Sequence, residues 1–269
     1  MSVSAFKKAV RGHYAAHGRH DLAWRKTHDP YRILVSEVML QQTQVSRVRA
    51  KYAEFLAKFP TVRALASAPV SDVLRVWQGL GYNRRALNLK RAAEAVVGDH
   101  GGRFPRDAQA LEALPGVGQS TRGAIMAFAF GEPTAFIETN VRSAYLHCFF
   151  GDRKGVHDKE ILPLIEKTLD RRDPRSWYYA LMDYGVHLKA TLPNPSRRSR
   201  HHVRQSAFKG SNREVRSKIL KGLLAGPQTA ASLARFTGAP VAAVRKNLAD
   251  MEKEGFVCKK SGKGTYYIV

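Results

Sequence analysis

Cysteine is scarce in this chain: Cys148 and Cys258 are the two in 269 residues. That excludes a disulfide framework, and a four-cysteine zinc or iron–sulfur centre built from this chain alone. Long apolar runs are lacking as well. No segment approaches the ~20 residues a membrane-spanning helix needs, and the basic start of the chain has no signal-peptide core. The expectation is a cytoplasmic, nucleoid-associated monomer with reduced thiols and no membrane contact. Carboxylates are the third shortage, with 22 Asp and Glu against 45 Lys and Arg, a net charge of +23. Such a surplus attracts a polyanion, nucleic acid before an acidic membrane surface. The 44% of apolar residues is enough for a globular core.

What the chain does have is concentrated between Leu114 and Asn140. Leu114-Pro-Gly-Val-Gly118 reads as a tight turn, with Gly116 and Gly118 free to take conformations closed to other residues. A helix rich in small and apolar residues follows from Gln119. Amides exposed at such a turn, together with a helix start, form an anion site suited to phosphate. Glu138 lies beyond it among apolar neighbours. A phosphate grip with a carboxylate nearby points to chemistry on nucleic acid. The plain alternative is a helix connection followed by a capping glutamate.

Elsewhere the periodicity predicts a basic helix over 4–18 and one long helix from Tyr31 to Phe59, carrying Glu37 in its first part. Gln41-Gln-Thr-Gln44 on that helix adds nothing to a core but can hydrogen-bond base edges. Short helices fill 61–77, and a second glycine turn presents Tyr82 for stacking and Arg84 and Arg85 for phosphate. A helix over 85–99 has Arg85, Lys90 and Arg91 on its polar side. Helices over 141–150, 156–169 (capped by Asp158) and 177–188 precede the basic stretch 193–204, either a flexible linker or an arm along a phosphate backbone. From Ser211 three helices and a terminal hairpin suggest a winged helix-turn-helix. Arg245 and Lys246 on its second turn-flanking helix suit DNA, as do Lys259, Lys260 and Lys263 on the wing. The division expected is a domain over 1–205 and a winged helix over 206–269.

Together Trp24-Arg25, Ser36–Val45, the glycine turn at 79–82, Leu114–Ile125, Asn140-Val-Arg and Leu181-Met-Asp-x-Gly resemble the helix-hairpin-helix DNA glycosylase superfamily. Within it, the resemblance is nearest to the MutY-type adenine glycosylases, over roughly residues 20–190. It implies an all-α, two-lobed fold with a base pocket in the cleft between lobes, acting on double-stranded DNA that holds a mismatch or damaged base. The target base would be flipped out of the duplex. The resemblance makes Glu37 the general acid, Glu138 the carboxylate facing an oxocarbenium-like sugar, and Asn140 its pocket partner. Gln41 and Tyr82 would wedge the base stack, with Gln42 beside them. Leu114, Gly116, Gly118 and Gln119 would hold phosphate, and their backbone is a candidate site for a monovalent ion. Ser120 stands where lyase-competent relatives have lysine, which implies a monofunctional enzyme; Lys189 keeps a lyase alternative open. An apolar pocket would raise the pKa of Glu37, while nearby donors would keep Glu138 charged.

Three departures from the family pattern matter. Glu138 replaces an aspartate, so its carboxylate reaches about 1.5 Å farther on an unchanged backbone. The region after Met182-Asp-Tyr-Gly has no cysteine where the family usually carries four, implying no iron–sulfur cluster and no other cofactor. Arg197 and Arg198 in the basic stretch would replace its DNA-contacting loop. The domain that reads 8-oxoguanine is replaced by the winged helix. The activity the resemblance implies is release of adenine in a mismatch, opposite 8-oxoguanine or G, while the missing 8-oxoguanine reader favours another lesion. Two alternatives stay open: another damaged base (deaminated, alkylated or cross-linked), and a non-catalytic lesion binder.

The charge surplus makes a direct prediction. DNA affinity should fall about 10³-fold or more between 50 and 200 mM salt if six or more phosphates are contacted. Fluorescence anisotropy over that range checks it, and a nearly flat plot would mean that the basic surface has another role.

Overall fold

The computed structural model describes residues 1–260 and 264–269. In chain order the first half runs α1 (Val3–His17), α2 (Pro30–Leu40), α3 (Val45–Lys58), α4 (Val62–Ser67), α5 (Val70–Trp77), α6 (Arg84–Asp99) and α7 (Ala108–Ala113). Then come α8 (Gln119–Ala129), α9 (Thr139–Phe149), α10 (Asp158–Thr168), α11 (Pro174–Thr191) and α12 (Asn212–Ala225). The chain closes with β1 (Gln228–Thr229), α13 (Ala230–Thr237), α14 (Val241–Glu254), β2 (Val257–Lys259) and β3 (Thr265–Ile268). The fold is mostly helical, as expected. The described residues form two compact units, 1–38 with 104–204 and 39–103 with 205–269. No helix among them is long and apolar enough to cross a membrane. Both cysteines are free thiols.

In the first unit, α1, α9 and α11 close on an aromatic cluster. Phe6 sits 5.0 Å from Tyr145, 4.9 Å from Phe149 and 6.0 Å from Trp177, ring to ring. Helix starts are set locally: Ser2 caps α1, Asp107 caps α7 and Asp173 caps α11, each side-chain oxygen accepting a first-turn amide. Gly185 on α11 lets α9 approach closely, since a Cβ there would lie 2.1 Å from the Asn140 carbonyl oxygen. In the hairpin, Gly116 takes φ 79°, while Leu114 and Val117 are buried. Gly118 is extended at φ −97° and ψ 179°, a conformation open to any residue, so only Gly116 needs to be glycine for its backbone.

In the second unit, α3, α5 and α6 pack around Phe55 and Trp77, whose rings are 6.0 Å apart. The tail helices α12–α14 bury Ile219, Leu233, Val244, Leu248 and Met251. Beside them lies an antiparallel sheet of order β1-β3-β2, with Val257 opposite Ile268 and Gln228 opposite Tyr266. Left-handed Gly238 (φ 72°) and Gly255 (φ 85°) end α13 and α14. Arg84 and Arg216 each reach the Glu254 carboxylate at 2.6 Å, tying the tail to α6. Residues 261–263, with the expected wing turn and Lys263, lie outside the described residues.

Four local expectations need correction. The long helix over 31–59 is interrupted, because Gln41–Gln44 form a turn in which Gln42 has φ 54°. His157 caps α10, with Glu160 completing a capping box, and Asp158 instead accepts both ends of the Arg142 fork. Helix α6 buries its Lys90, which donates to the Ala66 carbonyl (2.9 Å) and Glu94 (2.6 Å). The stretch 193–204 is anchored at Pro195–Arg198, where a short 3-10 turn buries Ser196 against the Ser143 hydroxyl at 2.6 Å.

Adding a methyl group at Gly185 should therefore push α9 from α11. Gly185→Ala is expected to cost about 1–3 kcal/mol by overpacking, read as a lower midpoint in chemical denaturation, with a surface substitution such as Lys167→Ala as the unaffected control.

Candidate active site

Two carboxyl-bearing helices frame the candidate site of the first unit. Glu37 sits on α2 between buried Ser36 and Val38, and Ser36 fixes that turn by donating to the Ile33 carbonyl at 2.8 Å. Glu138 is the residue before α9. Its Oε1 accepts the Asn140 and Val141 amides, both at 2.7 Å, and Oε2 accepts Asn140 Nδ2 at 3.1 Å. The longer side chain is thus folded back onto its own helix start. Glu138 thus caps α9, and the same geometry delivers two donors and a helix dipole to one carboxylate.

Lys189 on α11 donates to Asn140 Oδ1 at 2.8 Å, so Asn140 joins the lysine to Glu138. Opposing Glu37 is Arg25, whose guanidinium lies 4.5 Å from the Tyr179 ring centre. Arg25 grips buried Asp183 with two donors, at 2.7 and 2.8 Å. Arg19 adds its amide at 2.8 Å and Nε at 2.6 Å to the same carboxylate. Burial alone would raise Asp183, but these four donors and two charges hold it below the usual range.

Glu37 keeps part of its surface accessible, yet its carboxyl is ringed by protein. Burial first, and repulsion from Glu138 second, push its pKa up to about 8 against the pull of Arg25. Burial also raises Glu138, and the Asn140 and Val141 amides, Lys189 and Arg142 oppose that rise. Desolvation outweighs these donors, so the Glu138 carboxyl lies above the ordinary carboxylate range. Lys189 is lowered by burial, with Glu138 acting in the other direction.

Glu37, Glu138 and Asn140 are thus brought together, and Arg25, Asp183 and Lys189 join them. Sequence reasoning gave Arg25 and Asp183 no role, although both stand inside the quoted Trp24-Arg25 and Met182-Asp183 segments. Ser120 lies in the first turn of α8 and makes no hydrogen bond to the cluster among the described residues. Leu114 and Gly118 border the hairpin, and Gln119 is exposed at the α8 start, whose N-cap residue Gly118 supplies no side-chain cap. Arg197 is exposed, while Arg198 lies 3.6 Å from Asp152. In the second unit, Gln41, Gln42 and Tyr82 line one cavity. Gln42 and Tyr82 are the two non-glycine residues with positive φ among those described. Arg85 does not project to solvent: it donates to the carbonyls of Met39, Gln41, Leu80 and Gly81 and to Thr43 Oγ1, bracing both turns. Arg245 and Lys246 are exposed on α14.

A family model described as HhH-GPD superfamily base excision DNA repair protein matches residues 35–170. The chain belongs to this superfamily. Adenine DNA glycosylase from Buchnera aphidicola subsp. Baizongia pistaciae (strain Bp) is 32% identical over 190 residues, 69% of this chain and 53% of that protein. Thymine/uracil-DNA glycosylase from Methanothermobacter thermautotrophicus is 33% identical over 171 residues, 62% of this chain and 77% of that protein. The structure of a thermostable thymine-DNA glycosylase superposes with a TM-score of 0.64 at 30% identity, covering 68% of this chain and 86% of that one. The chain spans about half the length of the adenine DNA glycosylases it matches.

Because the fold holds a proton on Glu37 up to about pH 8, its stabilising effect is complete below the ordinary carboxylate range. It is lost as pH rises through about 8. Glu37→Gln cannot ionise, so its melting temperature should drop less than wild type's between pH 5 and pH 9. Parallel thermal scans at the two pH values test this, and equal drops would place Glu37 in a solvated setting.

Proposed function

We infer that the chain is a monofunctional DNA glycosylase that hydrolyses the N-glycosidic bond of a flipped base, with adenine in a mismatch as the substrate read first. The observation that carries this is the pair of desolvated carboxyls, of which only one is supplied with backbone donors. Hydrogen bonds from N–H groups favour a carboxylate over its acid. Glu138 is accordingly the anion that faces the developing sugar cation, and Glu37 the acid that protonates the departing base. Arg25, anchored by Asp183, limits how far the Glu37 pKa rises, and Lys189 orients Asn140 against Glu138.

Strain at Gln42 and Tyr82 fits side chains pressed into a base stack. The uncapped start of α8 fits a phosphate, and the tail fits a winged helix that contacts DNA through Arg245 and Lys246. A monovalent ion at the hairpin would use carbonyl lone pairs left over after Leu114 accepts the Val117 amide and Gly118 that of Arg122. No iron–sulfur cluster or other cofactor enters this reading.

A second reading keeps the fold and changes the lesion. The thymine/uracil-DNA glycosylase is matched over more of its length than the adenine enzymes, which favours thymine opposite G, or uracil, as a substrate.

A single-turnover panel of A opposite 8-oxoguanine, A opposite G, T opposite G, U, hypoxanthine and an alkylated purine separates the two. On the cleaved substrate, Glu37→Gln and Glu138→Gln should each lower base release about 10²–10⁴-fold. Glu138→Asp, which keeps charge and cap, should stay within about tenfold. Release that survives both Gln variants unchanged would sink the two-carboxylate mechanism. Borohydride should trap no Schiff-base adduct; an adduct lost in Lys189→Met would instead make Lys189 a lyase nucleophile.

A further inference from the structure

Arg175, in the first turn of α11, takes no direct part in the two-carboxylate chemistry, yet both of its terminal nitrogens are fully engaged. Nη2 donates to the Arg25 carbonyl at 2.8 Å and to the Thr27 carbonyl at 2.7 Å. Nη1 donates to His28 Nδ1 at 2.9 Å and to the Phe128 carbonyl in the last turn of α8. All four acceptors are neutral, so pairing a charge is not what holds this arginine. A planar fork of fixed donors suits a junction of several acceptors, which one lysine ammonium could not span in the same way.

Three segments meet at that junction: the loop that leads into α2, the end of α8, and α11 itself. The loop is the part that bears on Glu37. Arg25 gives its carbonyl to Arg175 and its guanidinium to Asp183, at 2.7 and 2.8 Å. That guanidinium lies 4.5 Å from the Tyr179 ring centre, Arg175 lies 5.5 Å from it, and Phe128 packs on the same ring at 4.4 Å. Asp183 fixes the head of the Arg25 side chain but not the backbone that carries it. Arg175 fixes the backbone.

Placement matters because the attraction between charges falls with distance. Glu37 is faced by Arg25 from the loop, by Glu138 from the start of α9 and by Tyr179 from α11. Tyr14 on α1 and Asp183 face Arg25 in turn, and Lys189 and Arg142 face Glu138. Of the groups acting on Glu37, Arg25 is the one that favours its ionised form. We propose that Arg175 is a positioning residue, which pins the Arg25 segment to α8 and α11 and so sets how closely the Arg25 guanidinium opposes Glu37. This deepens the glycosylase reading and rests on it for the role of Glu37 as the acid.

The test uses the full-length chain with glutamate labelled by ¹³C at the carboxyl, the Glu37 signal being the one lost in Glu37→Gln. In wild type it should titrate near pH 8. Arg25 holds that midpoint down, so Arg175→Met should raise it by about one unit. The basic limb of single-turnover base release should move up by the same amount. Arg175→Lys keeps the charge and part of the donor set, and should give a smaller rise. Lys90→Met breaks a buried clamp in the second unit, and should lower the melting temperature while the Glu37 midpoint stays in place. A midpoint unmoved or lowered in whichever Arg175 variants fold, or an equal rise in Lys90→Met, overturns the proposal. If no duplex loses a base, the glycosylase reading fails by itself, and the carboxyl titration still decides whether Arg175 positions Arg25.

Discussion

The first unit depends on how it tolerates two acidic side chains withdrawn from water within range of each other. A buried carboxylate is costly unless donors or cations compensate it, and two of them repel as well. Here compensation is unequal. Glu138 is folded onto the first turn of α9, where two amides and the helix dipole receive it, while Glu37 is opposed by a single guanidinium that is itself committed to Asp183. That inequality gives two identical side chains different surroundings, and on the proposed reading it makes Glu37 the acid and Glu138 the anion.

The surrounding architecture serves this arrangement. Asp183 and Lys189 both project from α11, and Gly185 between them admits the Asn140 backbone so that α9 and α11 meet at the site. Asp183 holds Arg25 in place, and Lys189 holds Asn140. One helix thus positions the group that opposes each carboxyl. In the second unit Arg85 has a comparable mechanical part, collecting carbonyls from two turns whose strained residues, Gln42 and Tyr82, would otherwise relax.

Much of this was legible in the chain because local rules sufficed. Cap residues, glycine punctuation and helical periodicity located nearly every element, and the hairpin at 114–118 declared itself through its glycines and flanking Leu and Val. Local rules failed where a distant partner decided the outcome. Arg85 and Lys90 look like surface cations on a helical wheel, yet carbonyls of neighbouring segments draw them inward. The Tyr31–Phe59 pattern is continuously helical by periodicity, but the Gln41–Gln44 turn breaks it and Arg85 braces that break. The basic stretch after Pro193 has no periodicity, and its anchoring through Ser196 depends on a hydroxyl from α9.

The sequence by itself determined the helical class, the polyanion-seeking charge and the hairpin, since composition, periodicity and spacing are properties of the chain alone; the pairing of Glu37 with Glu138 came from the family resemblance. Only the tertiary structure decided that Glu138 caps the helix it serves, that Arg25 and Asp183 belong to the site, and that the tail joins residues 39–103 in one unit. Those outcomes follow from desolvation and from hydrogen bonds between segments far apart in sequence, which no local pattern encodes.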